Sequence, residues 1–204
     1  MKKVQDYYFK KAKQENYPAR SIYKLEEAQK KHQFIKAGDR ILDLGCHPGS
    51  WSLYAAQIAG SKGAVVGVDL QKSSVAPAAG SARIEFICAD IFANDVKTQL
   101  ADKFPFQVVV SDLAPKTTGH KFSDHLKSVE LSRQALTIAT QLLCRGGHFY
   151  CKVFQGEDFP AFVNEVRQLF KKTKIVKPKS SRVESREVFV LGLEFKGNTL
   201  NEKV

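Results

Sequence analysis

Apolar and polar positions along the chain recur with two periods. Short runs rich in Val, Ile and Phe, bounded by Gly, Pro and Asp, predict strands at 40–44, 64–69, 83–89, 107–111, 147–153 and 188–195, with a weaker one near 173–176. Between them, apolar spacings of three and four predict helices near 50–59, 95–103, 124–143 and 157–170. The last is the clearest: Phe159, Phe162, Val163, Val166, Leu169 and Phe170 form one stripe that belongs against a sheet, so these aromatics are core. Two more helices, about 4–13 and 20–34, precede the first strand and are separated at Asn16-Tyr17-Pro18. Such alternation implies an α/β, Rossmann-like fold, with a mostly parallel seven-stranded sheet, helices on both faces and ligands at the carboxyl ends of the strands.

The 204 residues, 43% of them hydrophobic, suffice for one core. The expected organisation is a pair of basic N-terminal helices (1–36) extending a single α/β domain (37–196), with a short loose tail (197–204). Cys46, Cys88, Cys144 and Cys151 offer neither a C-x-x-C pair nor the density of a disulfide framework. They read as reduced and mostly buried, and without ligand spacing no metal site is expected. The N-terminus lacks an apolar signal segment and no run is long enough to cross a bilayer, so a soluble, cytoplasmic protein is expected.

The segment Asp43-Leu44-Gly45-Cys46-His47-Pro48-Gly49-Ser50-Trp51 joins the first of these strands to a helix start. Gly45 and Gly49 let the backbone bend and a ligand approach it, while a helix beginning near Pro48 offers unpaired N–H groups. A dinucleotide fingerprint would need a glycine two residues after Gly45, where His47 stands. The D-L-G-x-x-P-G pattern is instead that of an S-adenosylmethionine site. Asp69, closing the next strand, suits the hydroxyls of that cofactor's ribose. A purely structural turn is the competing reading.

Net charge is +11, and its location narrows the partner class. Residues 1–36 carry ten Lys/Arg against four Asp/Glu, and residues 171–187 carry seven against two, which accounts for the whole excess. Positive charge gathered beside an electroneutral body suits a polyphosphate. Tyr7, Tyr8, Phe9, Tyr17 and Tyr23 among Lys10, Lys11, Lys13 and Arg20 would add stacking faces, which favours nucleic acid over a membrane surface or an idle solvated face.

Polar groups also gather at the strand ends. Asp69, Asp90, Asp112 and Lys152 each stand at or just after the end of an apolar run, so the fold brings them to one edge. Alone, Asp90 reads as a cap or turn residue. Lys152 inside Tyr150-Cys151-Lys152-Val153-Phe154 is different: a lysine among apolar neighbours needs a partner, and Asp112 on the neighbouring strand is a natural one.

These residues carry a resemblance to the FtsJ/RrmJ family of RNA ribose 2'-O-methyltransferases, from about Tyr8 to Phe195. Matching segments are Arg20-Ser21-Ile22-Tyr23-Lys24-Leu25-Glu26-Glu27, the Asp43–Ser52 turn, Ser111-Asp112-Leu113-Ala114-Pro115, Lys152-Val153-Phe154-Gln155-Gly156-Glu157, Lys177-Pro178 and Ser185-Arg186-Glu187-Val188. The resemblance implies a catalytic set of Lys24, Asp112, Lys152 and Glu187, and cofactor contacts at Gly45, Gly49, Trp51, Asp69, Asp90 and Asp112. It further implies S-adenosylmethionine as cofactor and RNA as partner, most similar to the members that modify a uridine of large-subunit ribosomal RNA, with a monomer expected. Methylation of tRNA or an mRNA cap, or an idle RNA-binding or ribosome-assembly role on the same fold, are the alternatives. A base methyltransferase would carry an N/D-P-P-Y/F-type motif where Ser111-Asp112-Leu113-Ala114-Pro115 stands.

Chemically, a ribose hydroxyl is a weak nucleophile. Lys152 either takes its proton, when uncharged, or stabilises developing negative charge. Without the resemblance, Lys24 and Glu187 would read as a surface ion pair. Cys46-His47 and Lys116 depart from the family's pattern, which has small residues in the turn and Asn after the Asp-x-Ala-Pro segment; Cys46-His47 would line the pocket and Lys116 would add a cation beside the acceptor.

Overall fold

The computed structural model describes residues 2–93, 95–103, 105–182 and 184–197, with the side chains of 2–6 and 97 set aside. Helices α1 (Lys2–Gln14) and α2 (Ile22–His32) precede β1 (Arg40–Leu44), which leads through a glycine turn into α3 (Ser50–Ala59). There follow β2 (Ala64–Asp69), β3 (Arg83–Cys88), the short α4 (Val96–Leu100), β4 (Phe106–Ser111), α5 (Lys121–Leu142), β5 (Leu143–Phe154), α6 (Phe159–Leu169), β6 (Phe170–Val176) and β7 (Glu187–Phe195). The seven strands form one sheet in the order β3-β2-β1-β4-β5-β7-β6. Strands β1 to β5 pair in parallel, while β7 runs antiparallel to both neighbours and inserts between β5 and β6.

The burial of each strand follows from its place. Central β1 and β4 are nearly continuous apolar runs because helices cover both faces, whereas the edge strands β3 and β6 keep many exposed positions. Two cores result. One packs Val129, Leu136, Ile138, Phe162 and Val166 of α5 and α6 on Val109, Phe149 and Val190; the other packs Leu25, Trp51, Ala55 and Tyr150 beside α2 and α3.

Local chemistry moves several boundaries. The apolar stripe of α6 stops at Leu169, and Phe170 opens β6 instead, though its ring stays buried between Phe149 and Phe195. Gly192 opposite makes room: a Cβ there would sit 2.7 Å from the Phe170 ring. The expected helix at 95–103 shrinks to the five residues of α4. β5 starts four residues early, and its register on β4 shifts between Phe106 and Val108. Two of the four free cysteines, Cys46 and Cys151, are buried, but Cys88 is exposed on an edge strand and Cys144 is intermediate, which corrects the expectation that most are buried. Most of the expected tail, 198–204, lies outside the described residues. Among the described residues no helix is long and apolar enough to cross a membrane.

Candidate active site

The carboxyl ends of β1 to β5 share one edge, and because β7 is reversed its first residue, Glu187, reaches that same edge. Register makes this explicit: Ser111 pairs with Cys151, Lys152 with Phe189 and Phe154 with Glu187. Strand pairing therefore assembles Asp112, Lys152 and Glu187 from three neighbouring strands, and α2 adds Lys24.

The four are ion-paired in a row. Lys152 Nζ is 2.9 Å from Asp112 Oδ1 and donates to the Asp112 backbone carbonyl at 2.6 Å. Lys24 Nζ lies 3.6 Å from the same Asp112 oxygen and donates to Glu187 Oε2 at 2.7 Å. The Lys24 and Glu187 side chains are 14% and 11% exposed, so their contact is no surface ion pair. Burial works against the Lys24 ammonium, but the neighbouring Asp112 and Glu187 carboxylates outweigh it and hold its pKa above that of an ordinary lysine. Burial likewise opposes the charge on Asp112, and Lys152 and Lys24 overcome it, so Asp112 ionises more readily than usual.

The turn after β1 is tightly packed against Leu113 and Val75. Gly45 (φ +79°) and Gly49 (φ +109°) adopt backbone conformations that side chains disfavour. A Cβ on Gly45 would press on Leu113 at 2.8 Å, and one on Gly49 would press on Val75 at 2.5 Å. Helix α3 begins at Ser50, two residues beyond Pro48, with Gly49 as its cap. Asp69 braces the turn from outside: its Oδ2 accepts the His47 N–H at 3.0 Å and its Oδ1 the Gln71 N–H at 2.8 Å. Asp90 is held similarly, accepting the Phe92 N–H at 2.9 Å. Beneath the turn Asp43 is wholly buried, with Oδ2 accepting the Ser52 hydroxyl at 2.6 Å and Oδ1 without a hydrogen-bond partner among the described residues. Burial above all, with the charges of Asp112 and Asp69 adding to it, pushes its pKa up to about 7. Asp69 and Asp90, at the ends of β2 and β3 beside this turn, form a pair of acceptors, which fits a ligand carrying hydroxyls and an amino group.

Some expected residues are placed elsewhere. The Trp51 side chain faces the core, 3% exposed, stacked on Tyr150 with 5.7 Å between ring centroids and donating from Nε1 to the Ser21 carbonyl. Only its backbone at the helix start is left to meet a ligand. Cys46 does not line the opening: it is buried, and its Sγ lies over Gly67, 2.9 Å from where a Cβ would stand. His47 is exposed and its ring approaches Ser73 at 3.4 Å. Lys116 is exposed. Of the N-terminal aromatics, Tyr7 and Phe9 are open to solvent, but Tyr23 is buried with its hydroxyl donating to Glu15, and Lys11 sits 4.5 Å from its ring centroid while pairing with Glu15 and Glu26. The second basic segment is divided too. Lys171 and Lys172 pair with Glu194 at the end of β6 remote from the site, and Lys177 Nζ is turned onto the Glu187 carbonyl at 2.6 Å.

A reversed strand next to the sheet edge, beside a glycine turn and acidic strand ends, defines the Rossmann-like methyltransferases. Residues 17–195 match the FtsJ-like methyltransferase family, and the chain belongs to it. It is 55% identical over 197 residues to the ribosomal RNA large subunit methyltransferase E of Desulfotalea psychrophila, covering 96% of this chain and 98% of that one. The protein of the same name from Oleidesulfovibrio alaskensis is 48% identical over 97% of this chain and 95% of its own. Among solved structures, a Plasmodium falciparum protein described as a ribosomal RNA methyltransferase superposes with a TM-score of 0.76 at 27% identity, covering 89% of this chain and all of that one.

Proposed function

We propose that the protein transfers the methyl group of S-adenosylmethionine to a ribose 2'-hydroxyl of RNA, with a uridine of large-subunit ribosomal RNA as the target. The observation that carries this reading is the nearly buried Lys152 amine held on Asp112 at 2.9 Å, with the Lys24–Glu187 pair beside it. A nucleic-acid contact or a purely structural lysine needs no such arrangement. The named relatives, ribosomal RNA large subunit methyltransferases E, supply the substrate class.

The cofactor, when bound, would supply a sulfonium methyl group for an oxygen nucleophile. The chain's residues position and deprotonate that nucleophile. The Gly45–Gly49 turn would face the cofactor's methionine end, and Asp69 and Asp90, both already oriented by backbone N–H groups, would accept from its ribose and adenine. At the other side, two directions around Lys152 Nζ are taken by Asp112 Oδ1 and the Asp112 carbonyl. The remaining direction meets the 2'-hydroxyl, whose proton the amine accepts as the methyl arrives. Lys24 is kept charged by its two carboxylates, Asp112 and Glu187.

Lys152→Ala should lower single-turnover methyl transfer to unmodified large subunits by ~100-fold or more while cofactor and RNA affinities stay near wild type. In parallel, Asp69→Ala should weaken cofactor binding measured by calorimetry, because alanine cannot accept hydroxyl hydrogen bonds. A Lys152→Ala protein that kept most of the wild-type rate would sink the mechanism.

A further inference from the structure

The Glu187 carboxylate has two sides, and only one of them faces the reactive row. Its Oε2 holds Lys24; its Oε1 accepts a hydrogen bond from the Ser181 hydroxyl at 2.9 Å. Ser181 is 7% exposed and lies in a turn closed by its own N–H on the Pro178 carbonyl at 3.1 Å. The turn itself is tied to α2. Glu27 accepts the Lys179 N–H at 2.7 Å and the Ser180 N–H at 2.9 Å with its two oxygens, one on each. Glu27 stands three residues after Lys24, on the same face of α2. From the other side Lys177 Nζ holds the carbonyls of Ser185 and Glu187. Contacts therefore run in a closed ring from Lys24 to Glu187, to Ser181, through the turn to Glu27, and back along one helix to Lys24.

We infer that Ser181 is a positioning residue for methyl transfer: its hydroxyl, anchored to α2 through Glu27, fixes the rotamer of Glu187 and thereby holds the Lys24 ammonium in front of Asp112. A carboxylate with one oxygen unclaimed is free to rotate about its terminal bond, and Lys24 would follow it or settle on Asp112 alone. The hydroxyl removes that freedom with one charge-assisted hydrogen bond in a nearly buried place, where such bonds are strong. Ser181 touches no reacting atom in this scheme. The inference rests on the assignment of Glu187 to the reactive set.

The test uses the full chain with four substitutions, measured by single-turnover transfer to unmodified large subunits. Ser181→Ala should lower the maximal rate on the order of 10-fold, leaving the Kd for cofactor and for RNA unchanged. Ser181→Thr, which keeps the hydroxyl, should restore most of the rate. Ser180→Ala is the control for the turn: Ser180 is 4% exposed and its Oγ has no partner among the described residues, so the same atom is deleted next door without touching Glu187. Glu187→Gln separates the two levels of the argument. If it loses rate while Ser181→Ala does not, the inference alone fails. If Ser181→Ala, Ser181→Thr and Ser180→Ala all lose rate together with melting temperature, the turn is merely structural and the inference also fails. A Glu187→Gln protein of full activity would instead overturn the assignment of Glu187, and the role of Ser181 with it.

Discussion

Asp43 is a residue whose acidity is strongly altered by where it lies. An aspartate ordinarily titrates near pH 4. With this one held at about 7, the native protein keeps a proton that the unfolded chain gives up across that interval. The stability this contributes is complete below about pH 4, falls as pH rises, and is gone above about 7, where the buried carboxylate must carry its charge. The full swing is up to about 4 kcal/mol. Asp43→Asn should therefore be less stable than wild type, or equal to it, at pH 5 and gain on it steadily toward pH 8, read as urea midpoints at each pH. A constant difference across that range would mean that Asp43 is ionised throughout. Residue by residue, Lys152, Asp112 and Asp69 were legible because a polar group closing an apolar run stands out. Glu27 and Ser181 were not: they act through backbone N–H groups and a second carboxylate, and only the folded turn brings these together. The spacing of Lys24 and Glu27, one face of one helix, was the available signal. The core position of the Trp51 ring was not legible, because a large aromatic at a helix start gives no sign of which way its ring turns.

At the scale of elements, periodicity located the seven strands and the helices among the described residues, and its bounds erred at the glycine-rich register shift in β5, at the change from α6 to β6 at Phe170 and at α4, which is only five residues long. The two basic segments were legible as charge but not as surface. Lys11 is engaged within the fold by Glu15, Glu26 and Tyr23, and Lys177 by backbone carbonyls, whereas Lys10 and Lys13 are exposed on α1 near the open rings of Tyr7 and Phe9. RNA affinity should accordingly fall with added salt, and replacing Lys10 and Lys13 with Gln should reduce the log–log salt slope by about 1 to 2. Lys11→Gln should change that slope less and cost stability instead. Equal slopes for wild type and the double variant, in filter binding across a salt series, would remove α1 from the RNA footprint.

For the whole molecule, the informative feature is the order β5-β7-β6. The final strand is neither an edge nor an ornament: it lies between two strands made before it and carries Glu187 at its first position. A chain ending at residue 186 would leave β5 and β6 without their shared partner and Lys24 without its closest carboxylate. Such a fragment should show neither cooperative unfolding nor methyl transfer, and a sharp urea transition from it would contradict the role given to β7. The consequence concerns time as much as space. A nascent chain can complete its glycine turn and three of its four ionic groups while synthesis continues, yet the fourth arrives only with the last strand. A product stopped short of β7 would hold Lys24, Asp112 and Lys152 without Glu187, and is expected to be silent rather than wrongly active.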